Sequence, residues 1–305
     1  MQKYLYIIVL LLPALACGSG TKSGNAGEKS VLTVTIEPQR YFLDRIVGDA
    51  FTINTLVPSG TSPETYEPAP SVMVDMGKSD IYFMVGDLGF ENAWSKRLEK
   101  NNPNMTIVNC SEGIELMGGY DHGHDHAYGH AGGHSHVHAH GGIDPHVWSS
   151  PQAVKIFARN MLEAVVKAYP GNEELFRANF DEFSVKIERT DSLIRDLLKN
   201  ASSGSFIIYH PALSYFARDY GLHQFSIEFE GKSPSPSQIK ELVDVARKEK
   251  VNTVFIQRGF DKKNAAVIAQ EIGAKVFEID PLSYEWDEEL LRIAAILARE
   301  TKKDE

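Results

Sequence analysis

With 305 residues, 43% of them hydrophobic, the chain is long enough to bury its own core in one or two domains. Its net charge of -10 excludes nucleic acid and anionic membrane surfaces as preferred partners. Only two cysteines are present, and if the first, Cys17, is lipidated no intramolecular disulfide is possible, so an exported fold must rest on its core.

The first seventeen residues read as an export signal. Lys3 precedes an apolar run from Leu5 to Leu12, too short to span a bilayer as a helix. Pro13-Ala14-Leu15-Ala16-Cys17 follows, and small residues before a cysteine match a lipoprotein cleavage site with Cys17 as the lipidated terminus. Ala14 stands where the usual pattern has Leu, and the same residues satisfy the Ala-x-Ala rule of ordinary secretion at the same bond. The polar stretch 18–30 favours lipidation, because a flexible tether suits a chain fixed at one end to a membrane. Cys110 is then the one free thiol.

Beyond the tether, strand-like and helix-like segments alternate. Val31 to Ile36 is β-rich, Pro38 to Val47 has helical spacing, Phe51 to Val57 is a second strand, and Ser59 to Pro70 is a loop rich in Pro, Ser and Thr. Ile81 to Val85 and Met105 to Asn109 are further short strands. Ser150-Pro151 opens a helix with a capping serine and proline at its first position. Ser205 to Tyr209, Leu222 to Ile227, Asn252 to Gln257 and Lys275 to Ile279 read as strands with amphipathic helices between several of them. This alternation predicts an α/β fold with parallel sheets.

Between residues 173 and 199, Phe176, Phe180, Phe183, Ile187, Thr190, Ile194 and Leu197 form one stripe at steps of three and four. A helix of about 27 residues spans roughly 40 Å, enough to run along two small domains. The expected organisation is therefore an N-terminal lobe over 31–172, a linking helix over 173–200 and a C-terminal lobe over 201–305.

Eight of the eleven histidines fall between residues 122 and 140, within a loop over 118–142 otherwise made mostly of Gly, Ala and Asp. His122, His124, His126, His130, His134, His136, His138 and His140 have no periodic apolar face, so the loop reads as an auxiliary collector of transition metal. Three histidines remain. His210 ends a predicted strand and His146 lies in Asp144-Pro145-His146-Val147-Trp148, both where a site is built, whereas His223 at a strand start reads as structural. Asp280 also ends a strand before a proline, and Glu64 lies in the loop after the second strand. Alone, a strand-end Asp is usually a helix or turn cap and a loop Glu most often a solvated side chain; their convergence with the two histidines makes the case for a site.

These residues resemble a known family, the zinc/manganese substrate-binding lipoproteins of bacterial ABC importers. Val57-Pro58-Ser59-Gly60-Thr61-Ser62-Pro63-Glu64-Thr65-Tyr66-Glu67-Pro68 is similar to that family's first metal-site loop, and Asp144-Pro145-His146-Val147-Trp148 to its second motif. Tyr209-His210 with Tyr215-Phe216 and Tyr220-Gly221-Leu222 resembles the third. Glu230 to Pro236 matches a family loop, and Asp280-Pro281-Leu282 sits at the fourth ligand. The likeness runs from about residue 31 to the end.

The resemblance implies the metal-type periplasmic-binding-protein fold: two α/β lobes, one rigid linking helix and a metal between the lobes. It implies His146, His210 and Asp280 as ligands, with Glu64 standing where the family usually has His. The first ligand is then a carboxylate or is supplied by a loop histidine, and Glu67 orients a ligand or caps its loop. Two imidazoles and two carboxylates suit tetrahedral zinc and, with bidentate carboxylates, also manganese. The His-rich loop tips the expectation to Zn²⁺, with Mn²⁺ as the alternative cargo. The implied role is capture of the ion outside the cytoplasmic membrane by a membrane-anchored monomer, and delivery to an ABC permease. Binding should weaken as pH falls through the histidine range near about 6 to 6.5. A secreted zinc hydrolase is the rival from another class, but no His-Glu-x-x-His, Gly-x-Ser-x-Gly or phosphate-binding glycine loop occurs, so no enzyme is expected. A passive metal store or adhesin predicts many weak loop sites and no strong site between the lobes.

Overall fold

Short β-rich runs separated by helices pair in parallel, because a crossover returns each strand to the same direction. The computed structural model describes residues 29–118, 142–199, 201, 204–228, 232–260 and 262–299 and contains two such sheets. In the first, β1 (Val31–Val34), β2 (Thr52–Thr55), β3 (Ile81–Met84) and β4 (Thr106–Asn109) lie in the order β2-β1-β3-β4. In the second, β5 (Ser205–Ile208), β6 (His223–Ser226), β7 (Thr253–Gln257) and β8 (Lys275–Ile279) lie in the order β6-β5-β7-β8. All six pairings are parallel. Both lobes thus have the same strand order, and in each the chain direction across the sheet reverses beside the first strand. That reversal opens a crevice at the carboxyl ends of the strands.

Several strands stop one or two residues before the sequence pattern does. Val31 to Ile36 reads as one β run, yet the amides of Thr35 and Ile36 donate to Gln39 Oε1 (2.8 and 3.1 Å) and turn the chain into helix α1, Glu37–Val47. The Pro-rich loop ends as expected at Pro70, where the seven-residue helix α2 (Pro70–Met76) begins without a side-chain cap. Helix α3 (Gly89–Asn101) also lacks a side-chain cap, which is why no start signal marks it in the sequence. Helix α4 (Pro151–Ala168) is capped as its sequence predicts, Ser150 Oγ accepting from the Ala153 amide at 3.0 Å.

After α6 (Ser214–Asp219), α7 (Pro236–Lys248) and α8 (Lys262–Ile272) of the second lobe comes α9 (Trp286–Arg299), and the long helix α5 (Glu173–Leu198) packs against α1, α4 and α9, so it touches both lobes. Phe176, Phe180, Phe183, Ile187, Thr190 and Ile194 are buried along it, as the stripe requires. Leu197 departs from the pattern: it is exposed, and Leu198 packs on the core instead. One hydrophobic cluster holds residues of both lobes, with Phe42 against Phe183 (5.8 Å between centroids) and Trp286 (5.3 Å). Polar ties reinforce it: the Tyr41 hydroxyl donates to Asp287, Lys186 pairs with Asp287 at 2.9 Å, and the Tyr284 hydroxyl lies 3.0 Å from Asp44. A shared core of this kind resists wide hinge motion, since opening it would expose packed aromatic rings to water.

One buried acid makes the first lobe sensitive to pH. Glu91, in the first turn of α3, is fully buried and accepts from the amides of Val85 and Gly86, each at 2.7 Å, and from the Thr35 hydroxyl. Burial pushes its carboxyl up to about 7, against the hydrogen bonds that pull it down. Because the folded chain favours the acid form, Glu91 contributes stability that is complete below its ordinary value of 4.5 and lost as pH rises through about 7. The loss is on the order of 3 kcal/mol. Urea unfolding of wild type and Glu91→Gln should differ by a free energy that shifts by this amount between pH 4.5 and 8. A difference that stays flat would count against the assignment.

The expected loop histidines, His122, His124, His126, His130, His134, His136, His138 and His140, lie outside the described residues, as does Cys17. Gly118 and Ile143, at the two ends of that segment, form an antiparallel bridge. Among the described residues no helix is long and apolar enough to cross a membrane.

Candidate metal centre

His210 leaves the carboxyl end of β5, and the neighbouring strand β7 fixes it there. The Gln257 side chain accepts from the His210 amide (3.2 Å) and donates to its carbonyl (2.5 Å). Its ring lies against Phe260 (5.8 Å, 15° between planes), while Nδ1 is 2.9 Å from Glu228 Oε2. His146 enters from the other side of the cleft, in the turn before α4. Asp144 Oδ1 accepts from the His146 amide at 2.9 Å and lies 2.8 Å from Nδ1 of the same residue. A carboxylate on each Nδ1 draws the ring proton there and leaves Nε2 as a lone-pair donor. The two Nε2 atoms face each other at 3.2 Å.

Two lone pairs at that distance repel unless a cation or a proton lies between them. Tetrahedral zinc with Zn–N bonds of about 2.0–2.1 Å sets its nitrogens about 3.3 Å apart, so the spacing fits a shared ion. Burial pushes the His146 imidazole down, but the Asp144 carboxylate and its hydrogen bond, helped by Glu64 and Glu228, hold it above its ordinary value. Asp144 is held below its usual range, the neighbouring imidazole outweighing burial.

Glu64 completes the group. Its Oε2 accepts from the Gly89 amide at the start of α3 (3.3 Å), whereas its Oε1 is buried and has no hydrogen-bond partner among the described residues. A buried carboxylate oxygen left unpaired is costly, and a bound cation would relieve it. The donor atoms of Glu64, His146 and His210 all lie within 4.8 Å of one another.

The other residues singled out from the sequence stand differently. Asp280 lines the same cleft, a cavity of about 50 Å³ that also includes Trp148, Phe260 and Leu282, but it does not join the three-residue group. Its Oδ1 accepts from the Leu282 amide at 3.2 Å, and its Oδ2 lies 3.8 Å from Arg258 Nη1. Glu67 is exposed, and the hydrogen bond that orients Glu64 comes from Gly89 instead. His223 is exposed on β6 with its ring 4.4 Å from Phe225, away from the cleft. Sequence reasoning overlooked Glu228, Gln257 and Gly89 and gave Asp144 no role of its own. Glu228 carries the one usable signal, a carboxylate just past a strand end, as at Asp280.

Gly89 has no room for a side chain, since a Cβ there would lie 2.7 Å from the Glu64 carbonyl oxygen and 3.1 Å from its Oε2. Gly89→Ala should displace Glu64 and weaken zinc binding by at least about tenfold, the scale set by lost ligand-orienting contacts. A chelator-competition titration reads this, with circular dichroism to establish that the variant is folded. Unchanged affinity would mean that Glu64 needs no such support.

The family model described as "ZnuA: Zinc-uptake complex component A periplasmic" matches residues 32–292. The chain belongs to this family. Zinc-uptake relatives include the high-affinity zinc uptake system protein ZnuA of Bacillus subtilis (strain 168), 32% identical over 283 residues, covering 90% of this chain and 86% of that protein. The manganese ABC transporter substrate-binding lipoprotein PsaA of Streptococcus mitis is 27% identical over 287 residues, covering 90% of this chain and 85% of the relative. Among solved structures, a crystal structure of ZnuA superposes with a TM-score of 0.79 at 33% identity, covering 89% of this chain and 99% of the other. A zinc-bound ZnuA deletion mutant gives 0.80 at 32% identity, covering 91% and 100%. The two-lobed architecture of parallel sheets and one long helix is thus that of the zinc-uptake component A family.

Proposed function

We propose that this protein captures Zn²⁺ outside the cytoplasmic membrane and delivers it to an ABC permease. The ion is held by Glu64 Oε1, His146 Nε2 and His210 Nε2. The observation that carries this reading is the Glu64 carboxylate, which offers an oxygen within 4.8 Å of donor nitrogens of two imidazoles whose Nε2 atoms lie 3.2 Å apart, and whose Oε1 is buried with no hydrogen-bond partner among the described residues. Those three donors leave a fourth position to water, to Asp280 or to a histidine of the 118–142 loop. In this reading the protein is anchored as a monomer through a lipidated Cys17, and the loop histidines raise the local metal concentration. The lobes share a core, so loading and release proceed by rearrangement of the loops around Glu64 and Asp280 rather than by wide hinge closure.

Manganese is the second cargo the donor set allows, since Glu64 supplies a carboxylate and Asp280 stands by with another. Competitive titration of metal-free protein lacking residues 118–142, Zn²⁺ against Mn²⁺, tests both. One tight, zinc-preferring site is the expected result. If tight binding vanishes with the loop, the three-residue site is wrong. A manganese preference keeps the site and changes its cargo.

A further inference from the structure

The contact between Arg258 and Asp280 at the mouth of the cleft carries a consequence for selectivity, resting on the metal-site reading above. Arg258 follows β7, and its guanidinium lies between Glu278 Oε1 (3.7 Å) and Asp280 Oδ2 (3.8 Å). The nearby Arg292 is engaged elsewhere, donating to both carboxylate oxygens of Glu289 at 2.7 Å and to the Glu278 carbonyl. Glu289 in turn accepts from the Asp280 amide at 2.7 Å, which fixes the backbone of Asp280 while its carboxylate remains held by the Leu282 amide and Arg258. We propose that Arg258 is a specificity-determining residue, holding the Asp280 carboxylate away from the metal and so disfavouring manganese relative to zinc.

Two imidazoles, one carboxylate and a water already satisfy four-coordinate zinc. Manganese takes more ligands and prefers oxygen, so it gains more from a second carboxylate. Drawing Asp280 inward means giving up the Arg258 contact, whichever metal binds. That cost falls mainly on the ion that needs Asp280, and discrimination arises by penalising the wrong cargo. Arg258 is 63% exposed, so the contact is screened by solvent and its influence is modest.

The test compares Arg258→Gln, Arg258→Lys and the double variant Arg258→Gln/Asp280→Asn with wild type in the full chain. Affinities are read by chelator competition with Zn²⁺ and Mn²⁺, and coordination by the visible spectrum of the Co²⁺ form, whose bands are strong at four-coordinate sites and weak at higher coordination. Arg258→Gln should bind Mn²⁺ about fivefold tighter while Zn²⁺ changes by less than about twofold, the scale of a screened ion pair. Its Co²⁺ bands should weaken, Arg258→Lys should stay near wild type, and the double variant should lose the manganese gain. An unchanged Mn²⁺ to Zn²⁺ ratio in Arg258→Gln, or a gain that survives without the Asp280 carboxylate, overturns the proposal and leaves the metal site intact. Absence of metal binding in wild type overturns both.

Discussion

Removing the Glu64 carboxylate as Glu64→Ala should weaken zinc binding by more than about 100-fold, beyond the range seen for groups that merely orient a ligand. Three donors lie within 4.8 Å of one another, and only Glu64 contributes negative charge to the ion directly. Its Oε1 has no hydrogen-bond partner among the described residues, so in this reading the interaction lost on truncation is the one with the ion. The two imidazoles would remain 3.2 Å apart, each held by its own carboxylate, and would bind the ion as a weaker pair completed by water. Glu64→His should restore most zinc affinity, because an imidazole supplies an equivalent donor. Isothermal titration with a competing chelator decides the matter. A loss below about tenfold in Glu64→Ala would remove Glu64 from the ligand set, since even an orienting residue is worth that much.

Trp286→Ala should lower the unfolding free energy by about 3–5 kcal/mol, the cost of emptying a large buried aromatic site. Trp286 is 2% exposed at the start of α9, against Phe42 at 5.3 Å and Tyr41 at 6.3 Å, and its Nε1 donates to the Trp148 carbonyl at 2.6 Å. The indole therefore joins the C-terminal lobe to α1 and to the turn that presents His146, two residues before Trp148. Trp286→Phe keeps much of the packing but leaves the Trp148 carbonyl without its donor, a smaller loss of about 1–3 kcal/mol. Urea unfolding of the metal-free protein measures both. Bound zinc should recover part of the loss by mass action, since only the folded chain offers the assembled site. If both variants unfold like wild type, the two lobes do not depend on this shared core.

The alternation of short β runs and amphipathic helices was enough to read two parallel sheets, and the spacing of Phe176, Phe180, Phe183, Ile187 and Ile194 was enough to read the long helix between them. These are local signals: a period of two or of 3.6 lies within a few residues. They fail at ends, where a neighbour decides. The side chain of Gln39 stops β1 by taking the amides of Thr35 and Ile36, and at the end of α5 the partly buried Leu198, not the exposed Leu197, packs on the core. Helices α2 and α3 lack capping side chains and so left little trace in the pattern.

For the site, the sequence by itself determined which residues were chemically suited to hold a metal: two histidines at strand or helix boundaries, and carboxylates in loops beside them. Only the tertiary structure decided which way each side chain points. Glu228 reaches His210 across 18 residues and Arg258 draws on Asp280 across 22, so Glu64, His146 and His210 converge while Asp280 lines the cleft beside them. The physical reason is that a donor's identity is fixed by its side chain, whereas its direction is fixed by hydrogen bonds and ion pairs to partners distant along the chain. No local period encodes those partners.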